Sequence, residues 1–203
     1  PTFISDYGIK GIWLACFHSI SAFCNAGFDI LGTVNNKFIS LVNYVSNPVI
    51  NIVIISLIVI GGIGFLTWED ICKHKLDFMK YRLQTKLILI TTLILIVVPA
   101  IFFFYIDFSD LSGSSRILAS LFQSVTLRTA GFNTVDLTKM SEASKMLMIM
   151  LMLIGGCPGS TAGGMKTTTI AIIFLNTVST FLRKEDTEAF DRRIENTIVK
   201  NAC

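Results

Sequence analysis

SISAFCNAGFD (Ser19–Asp29) and FQSVTLRTAGFN (Phe122–Asn133) decide how this chain is read. Each closes a half-length apolar segment on the letters Ala-Gly-Phe, 104 residues apart, and each is followed by a polar stretch, a long apolar run and a pair of glycines. Gly61-Gly62 follows Gly27 by 34 residues, and Gly163-Gly164 follows Gly131 by 32. A tripeptide alone recurs by chance, whereas four elements in matched order mark an internal repeat. The repeated unit is half-helix, AGF turn, polar linker, crossing.

The composition says what solvent surrounds these units. Of 203 residues 52% are apolar and only 15% charged, with a mean hydropathy of +0.66. A surface facing water needs about a quarter or more of its positions charged, so much of this chain faces lipid. The net charge is +3 and the 17 basic residues are scattered, which excludes the massed footprint of a nucleic-acid binder. Cys16, Cys24, Cys72, Cys157 and Cys203 form no C-x-x-C pair and read as reduced thiols, mostly packing. The chain begins at Pro1, and its first residues lack the basic start and cleavage site of a signal peptide, so an excerpt of something longer is expected.

Val49–Leu66 runs 18 residues without a charge, and Leu87–Ile106 runs 20. At about 1.5 Å per residue each spans the hydrocarbon core. Pro99 inside the second run is tolerable where a neighbouring helix satisfies the carbonyl it frees. The linker between them carries Lys73, Lys75, Lys80, Arg82 and Lys86, a basic excess that marks the cytoplasmic side, while Asp107–Ser115 is acidic and hydroxylated and so external. A third apolar region, Met146–Leu182, is split by GGCPGSTAGGMK (Gly155–Lys166) and reads as a broken helix, returning to the cytoplasm at Arg183 and Lys184. Gly11–Ala26 and Ser114–Ala130 are each about half a span long and followed by glycine, which predicts re-entrant segments on the external side. Between the two AGF turns the chain crosses twice, so the units face the same way. Parallel units around an axis along the membrane normal suit a central pore, whereas many secondary transporters use inverted units.

Non-helical backbone at membrane depth is permitted only where it is buried in protein or lines an aqueous path. Without side chains, Gly27 and Gly131 let successive carbonyls turn inward around an axis, where carbonyl rings replace the hydration shell of a monovalent cation. Taken singly, each glycine reads equally well as the cap of a short buried helix; the second copy favours the pore. The glycines, proline and hydroxyls of the break need shelter from lipid, as a helix contact or as a loop obstructing the path. Lys166, inside an apolar run, needs water, a partner or the inner interface, and beside a cation route it would repel permeant ions. Arg128 is costly beside a cation site unless paired, so a structural role is expected, its guanidinium bonded to carbonyls or an acid behind the turn. Asp29 and Asp136 stand where they concentrate cations or are simply solvated.

Other chemistry finds little support. Gly159–Gly164 with Lys166 and Thr167 misses the nucleotide P-loop by one residue. His18, and Cys72 with His74, have no further ligands at metal-site spacing. No Ser/His/Asp or Cys/His group assembles on one side of the membrane, so no enzyme is expected.

SAFCNAGFD, SVTLRTAGFNT and GGCPGSTAGGMKTTT together resemble the Ktr/Trk/HKT superfamily of potassium transporters, most closely the bacterial Ktr/Trk translocating subunits. The resemblance covers most of the chain and implies an all-α membrane protein of parallel repeats, each with a helix, a re-entrant pore half-helix and a helix around a central pore. In such subunits four repeats share one filter. Residues 1–72 would be the pore half-helix, filter turn and inner helix of a second repeat, 73–86 a cytoplasmic linker, 87–184 a third repeat, and 185–203 the start of a connection to a missing fourth. Carried over, Asn25, Ala26 and Gly27 would form one filter strand and Thr129, Ala130 and Gly131 another, with Arg128 as filter support. Gly155, Gly156, Gly159, Ser160, Thr161, Gly163, Gly164 and Lys166 would belong to a gate loop beneath. The resemblance also implies K+ as the transported ion, passively or with Na+ dependence, no covalent cofactor or resident metal, a multi-pass place in the plasma membrane, a homodimer, and a cytoplasmic nucleotide-binding regulatory ring. The alternative is a secondary transporter of a small organic solute whose broken helix binds substrate; a third reading is a non-conducting membrane scaffold.

Overall fold

The computed structural model describes residues 2–32, 34, 39–75, 77–111, 113–183, 186–190 and 192–202, so Lys184 and Cys203 lie outside the described residues. Helix α1 (Thr2–Tyr7) leads into α2 (Lys10–Phe23), the first half-span segment. Then come α3 (Pro48–Ile63), α4 (Phe65–His74), α5 (Leu83–Ile106), the second half-span helix α6 (Gly113–Thr126), α7 (Glu142–Leu153) and α8 (Thr167–Phe181). A hairpin of β1 (Glu188–Ala189) and β2 (Arg192–Arg193) and a final helix, α9 (Asn196–Ala202), complete the described chain. The architecture is the expected all-α one of helices and half-helices.

Local chemistry sets the boundaries. Asn47 caps α3 by accepting the Ile50 amide at 3.2 Å, and Pro48 starts the helix where its missing N–H is harmless. Ser141 caps α7, accepting the Ser144 amide at 3.3 Å. That cap is held from outside, because Asp107 at the end of α5 accepts the Ser141 amide at 2.8 Å and the Ser144 hydroxyl. Residues 39–41 and 133 tie the two post-turn loops together: Leu41 donates to the Asn133 carbonyl at 2.9 Å, and the Ser40 hydroxyl accepts the Asn133 amide at 3.1 Å.

The expected crossings take three shapes. Among the described residues α5 is the one helix long and apolar enough to cross a bilayer by itself. The run expected to continue straight to Leu66 instead ends at Ile63, and α4 departs at 96°. Gly64 makes the bend, at φ 95° and ψ 143°, a region open to glycine alone. A Cβ there would stand 2.5 Å from the Pro158 carbonyl oxygen, so the bend also makes room for the glycine-rich loop. The third apolar region is interrupted between α7 and α8 by the glycine-rich segment. Within the linker expected over 73–86, α4 runs to His74 and α5 starts at Leu83. Asp70 organises it, accepting the Arg82 amide at 2.9 Å and facing His74 Nδ1 at 3.0 Å.

Pro99 leaves the Leu95 carbonyl without its helical amide. Ser124 of α6 reaches this opened stretch, donating its hydroxyl chiefly to the Ile96 oxygen at 2.6 Å, with the freed Leu95 oxygen a longer second contact at 3.3 Å. Ser124 is fully buried. Ser124→Ala is expected to destabilise the full-length parent by about 1–3 kcal/mol, the penalty of a buried orphan acceptor, read as a lowered Tm in detergent.

The main core joins the two repeats. Ala22 of α2, Ile54 and Ile58 of α3, Phe122 and Val125 of α6, and Ala130 and Phe132 after it form one cluster. A second cluster packs Phe103 of α5 and Ala119 of α6 against Met148 and Leu151 of α7. The outer faces remain apolar, with Leu93, Val98 and Tyr105 of α5 and Ile149 of α7 all more than half exposed. Such breadth of exposed apolar surface suits lipid rather than water. Of the described cysteines only Cys157 is buried; Cys16, Cys24 and Cys72 are exposed, so packing accounts for one thiol and not for most.

Candidate functional site

Both half-helices end in the same kind of turn. After α2 the Ala26 amide returns to the Ser21 carbonyl at 2.9 Å, and after α6 the Gly131 amide returns to the Thr126 carbonyl at 3.2 Å. Asn25 (φ 51°) and Gly27 (φ 68°) are left-handed with Ala26 between them; Thr129 (φ 70°) and Gly131 (φ 90°) repeat the pattern around Ala130. A left-handed residue on each side of an ordinary one lets neighbouring carbonyls share a side instead of alternating as in a strand. The next carbonyls are tied back to the half-helices, Phe28 by the Ser21 hydroxyl at 2.8 Å and Phe132 by the Thr126 hydroxyl at 2.7 Å. By contrast, no hydrogen-bond donor among the described residues reaches the carbonyls of residues 25–27 or 129–131.

The two turns touch. A Cβ on Gly27 would lie 2.1 Å from the Ala130 carbonyl oxygen and 2.9 Å from Gly131 Cα, while one on Gly131 would lie 3.5 Å from Gly27 Cα. Two bends that are 104 positions apart therefore meet backbone to backbone, with oxygens left over.

The glycine-rich loop lies against them. Its base is closed by main-chain bonds: Gly155 N–H to Met165 O at 2.9 Å, Gly156 N–H to Gly163 O at 3.1 Å, and Thr167 N–H to Gly156 O at 3.2 Å. Gly155 is obligatory in this closure, since a Cβ would fall 1.7 Å from the Gly163 carbonyl oxygen. Its tip docks on the kink between α3 and α4, where the Cys157 amide reaches Gly62 O at 3.0 Å, the Thr161 amide reaches Gly61 O at 3.2 Å, and the Gly159 carbonyl accepts the Phe65 amide at 3.1 Å. The Thr161 hydroxyl goes further, to the Phe23 carbonyl at 2.8 Å, and Asn25 Nδ2 donates to it at 3.1 Å. On the other turn, Thr129 Cγ2 would be 3.4 Å from a Cβ on Gly164. The loop thus underlies both turns.

The family model described as a cation transport protein, TrkH, matches residues 2–203. The chain belongs to the TrkH family. It is 39% identical to the potassium/sodium uptake protein NtpJ of Enterococcus hirae, over 98% of this chain and 44% of that protein. It is 36% identical to the Ktr system potassium uptake protein B of Bacillus subtilis, over 98% of this chain and 45% of that one. Among solved structures it resembles the potassium transporter TrkH of Vibrio parahaemolyticus, with a TM-score of 0.76 and 21% identity over 99% of this chain and 43% of that one. That likeness supports the fold. The chain spans less than half the length of the relatives it matches. The family is one of transport rather than catalysis, in keeping with the sequence reading.

In this TrkH-family chain the remaining candidates fall into place as follows. Lys166, half-buried at the start of α8, donates to the Ala162 carbonyl at 3.0 Å, so its ammonium stays with its own loop. Ser160 Oγ and Thr129 Oγ1 are buried with no hydrogen-bond partner among the described residues. Arg128 is 4% exposed, and its Nε likewise has no partner among them. The carbonyl or carboxylate expected for its guanidinium is not found among the described residues. Asp136 is exposed, and the hydroxyl and amide of Thr138 hold its carboxyl below the usual carboxylate range. Its negative charge is therefore lost at a lower pH than that of an ordinary carboxylate. His18 is fully buried, with Nδ1–H donating to the Leu14 carbonyl at 2.7 Å and Phe3, Phe17 and Phe132 rings around it. It is a core residue.

Sequence reasoning missed the hydroxyls that tie each turn to its half-helix, Ser21 and Thr126. A signal was present, a hydroxyl six or five residues before each turn glycine. It also missed Cys157 as an anchor: its buried sulfur takes the Thr167 hydroxyl at 3.1 Å and faces that of Thr92 at 3.8 Å. No spacing rule points to that cluster.

Proposed function

We propose that this chain supplies two of the four filter strands, and the gate loop, of a multi-pass plasma-membrane potassium uptake subunit of Ktr/Trk type. The observation that carries this reading is the backbone contact of the Gly27 and Gly131 turns, with the carbonyls of both left without donors among the described residues. Carbonyl oxygens in such a ring replace the water of a dehydrated monovalent cation, so K+ pays little to enter while smaller ions are held less well. In this reading Asn25, Ala26 and Gly27 form one strand and Thr129, Ala130 and Gly131 the other. The buried Arg128 is positioned to stiffen the second turn, with its counter-group supplied from outside the described residues. The segment Gly155–Lys166 obstructs the route below and yields when the pore opens; Lys166 adds positive charge to the obstruction.

Relatives named for potassium/sodium uptake and as parts of a Ktr system for potassium uptake support K+ as the ion and assembly with further subunits; dependence on Na+ is part of the same reading. A homodimer docked on a nucleotide-binding regulatory ring completes the reading. The organic-solute alternative draws no support from a specific observation, since the broken helix is filled by its own loop. Potassium-dependent growth of uptake-deficient cells carrying the full-length parent tests the function. Growth rescue at low K+ is expected; a well-expressed parent that neither rescues growth nor takes up Rb+ overturns it.

A further inference from the structure

Thr161 joins the tip of the glycine-rich loop to the end of α2 and to the first turn. Its hydroxyl lies 2.8 Å from Phe23 O and 3.1 Å from Gly61 O, and it accepts from Asn25 Nδ2 at 3.1 Å. A hydroxyl has one proton and two lone pairs, so it serves the nearer carbonyl and the amide together. Phe23 is the last residue of α2, and Asn25 opens the turn in a left-handed conformation that asparagine tolerates. Asn25 is buried, and its other amide contacts, Ile58 O at 3.4 Å and Phe23 O at 3.5 Å, are long. The junction exists because Gly61 is bare: a Cβ there would stand 1.9 Å from Phe23 O.

Among the described residues the second turn has no such brace. Thr129 occupies the position matching Asn25, yet its hydroxyl finds no partner among the described residues. The loop therefore grips one of the two turns through side chains and merely abuts the other.

We propose that Thr161 is a positioning residue for ion selection: through Asn25 the gate loop holds the Gly27 turn in shape, so that loop position and filter geometry change together. This rests on the reading of the turns as filter strands. It differs from simple obstruction, in which the loop sets how many ions pass and not which ones.

The test uses the full-length parent in cells or reconstituted in vesicles, with Rb+ uptake measured against increasing Na+. Thr161→Val keeps the shape and removes the hydrogen bonds. It is expected to lower discrimination between Rb+ and Na+ by about fivefold, the worth of a hydrogen bond to a buried group, and to raise flux. Thr161→Ser keeps the hydroxyl and is expected to restore discrimination. Higher flux with discrimination unchanged overturns the proposal, as does a Thr161→Ser variant no better than Thr161→Val. If Thr161→Val fails to reach the membrane, Thr161→Ala is measured against the same outcomes. Gly131→Ser in parallel separates the two levels: if it alters discrimination and Thr161→Val does not, the filter reading stands and this inference falls.

Discussion

Serine at Gly131 and serine at Gly27 are expected to fail in different ways, although the two glycines hold matching positions in the repeat. At Gly131 the nearest atom to a new Cβ is Gly27 Cα at 3.5 Å, an ordinary contact, so Gly131→Ser has room and suffers only the strain of φ 90°. Such strain is of order 1–3 kcal/mol. The turn shifts without collapsing, and the expected result in the full-length parent is continued uptake with relaxed discrimination against Na+. At Gly27 the Ala130 carbonyl oxygen stands 2.1 Å from the new atom, and that oxygen belongs to backbone that cannot step aside. Gly27→Ser must separate the turns, and uptake is expected to fall by about a hundredfold, the equivalent of roughly 3 kcal/mol of added strain. Competition of Na+ with Rb+ uptake reads the first outcome, and initial uptake rates normalised to membrane protein read the second. Unchanged selectivity in Gly131→Ser would sink the filter reading.

The other large effect is expected from shortening the loop. Removing residues 158–161 takes away the tip that docks on Gly61 and Phe23, while the closing contacts Gly155 to Met165 and Gly156 to Gly163 remain to hold α7 and α8 together. If the loop blocks most pores at rest, its loss shifts the population toward open ones and raises maximal uptake by about tenfold. The measurement is Rb+ influx at saturating concentration with expression matched. No change at normal expression leaves the gate without support.

The bend at Gly64 shows where reading the letters reaches its limit. Val49–Leu66 is uniformly apolar, and hydropathy cannot separate a straight crossing from one that turns by 96° near its end. The turn is stabilised by the Gly159 carbonyl bonded to Phe65 and by the space that a missing Cβ leaves for Pro158, both from a segment nearly a hundred residues away. Pro99 gives the opposite lesson. A proline in an apolar run already implies a donor from a neighbouring helix, and Ser124 is the donor that arrives there, bonded closely to Ile96 and more loosely to the freed Leu95 oxygen. The need was legible, and the identity of the residue meeting it was not. Arg128 extends the pattern, since burial beside a turn demands a counter-group that the described residues do not hold.

From its letters alone this chain declares a lipid environment, two re-entrant half-helices, their matching AGF turns and a broken third apolar run. Each is a property of neighbouring residues: the length of an uncharged run, or a glycine where a side chain would obstruct. Only the tertiary structure decided that the turns meet, that Gly27 is the more crowded of the two, and that Thr161 reaches Asn25 across 136 positions. Those facts depend on how distant segments are placed by a core shared between the repeats, and hydropathy, which counts apolar surface without direction, carries no information about such placement.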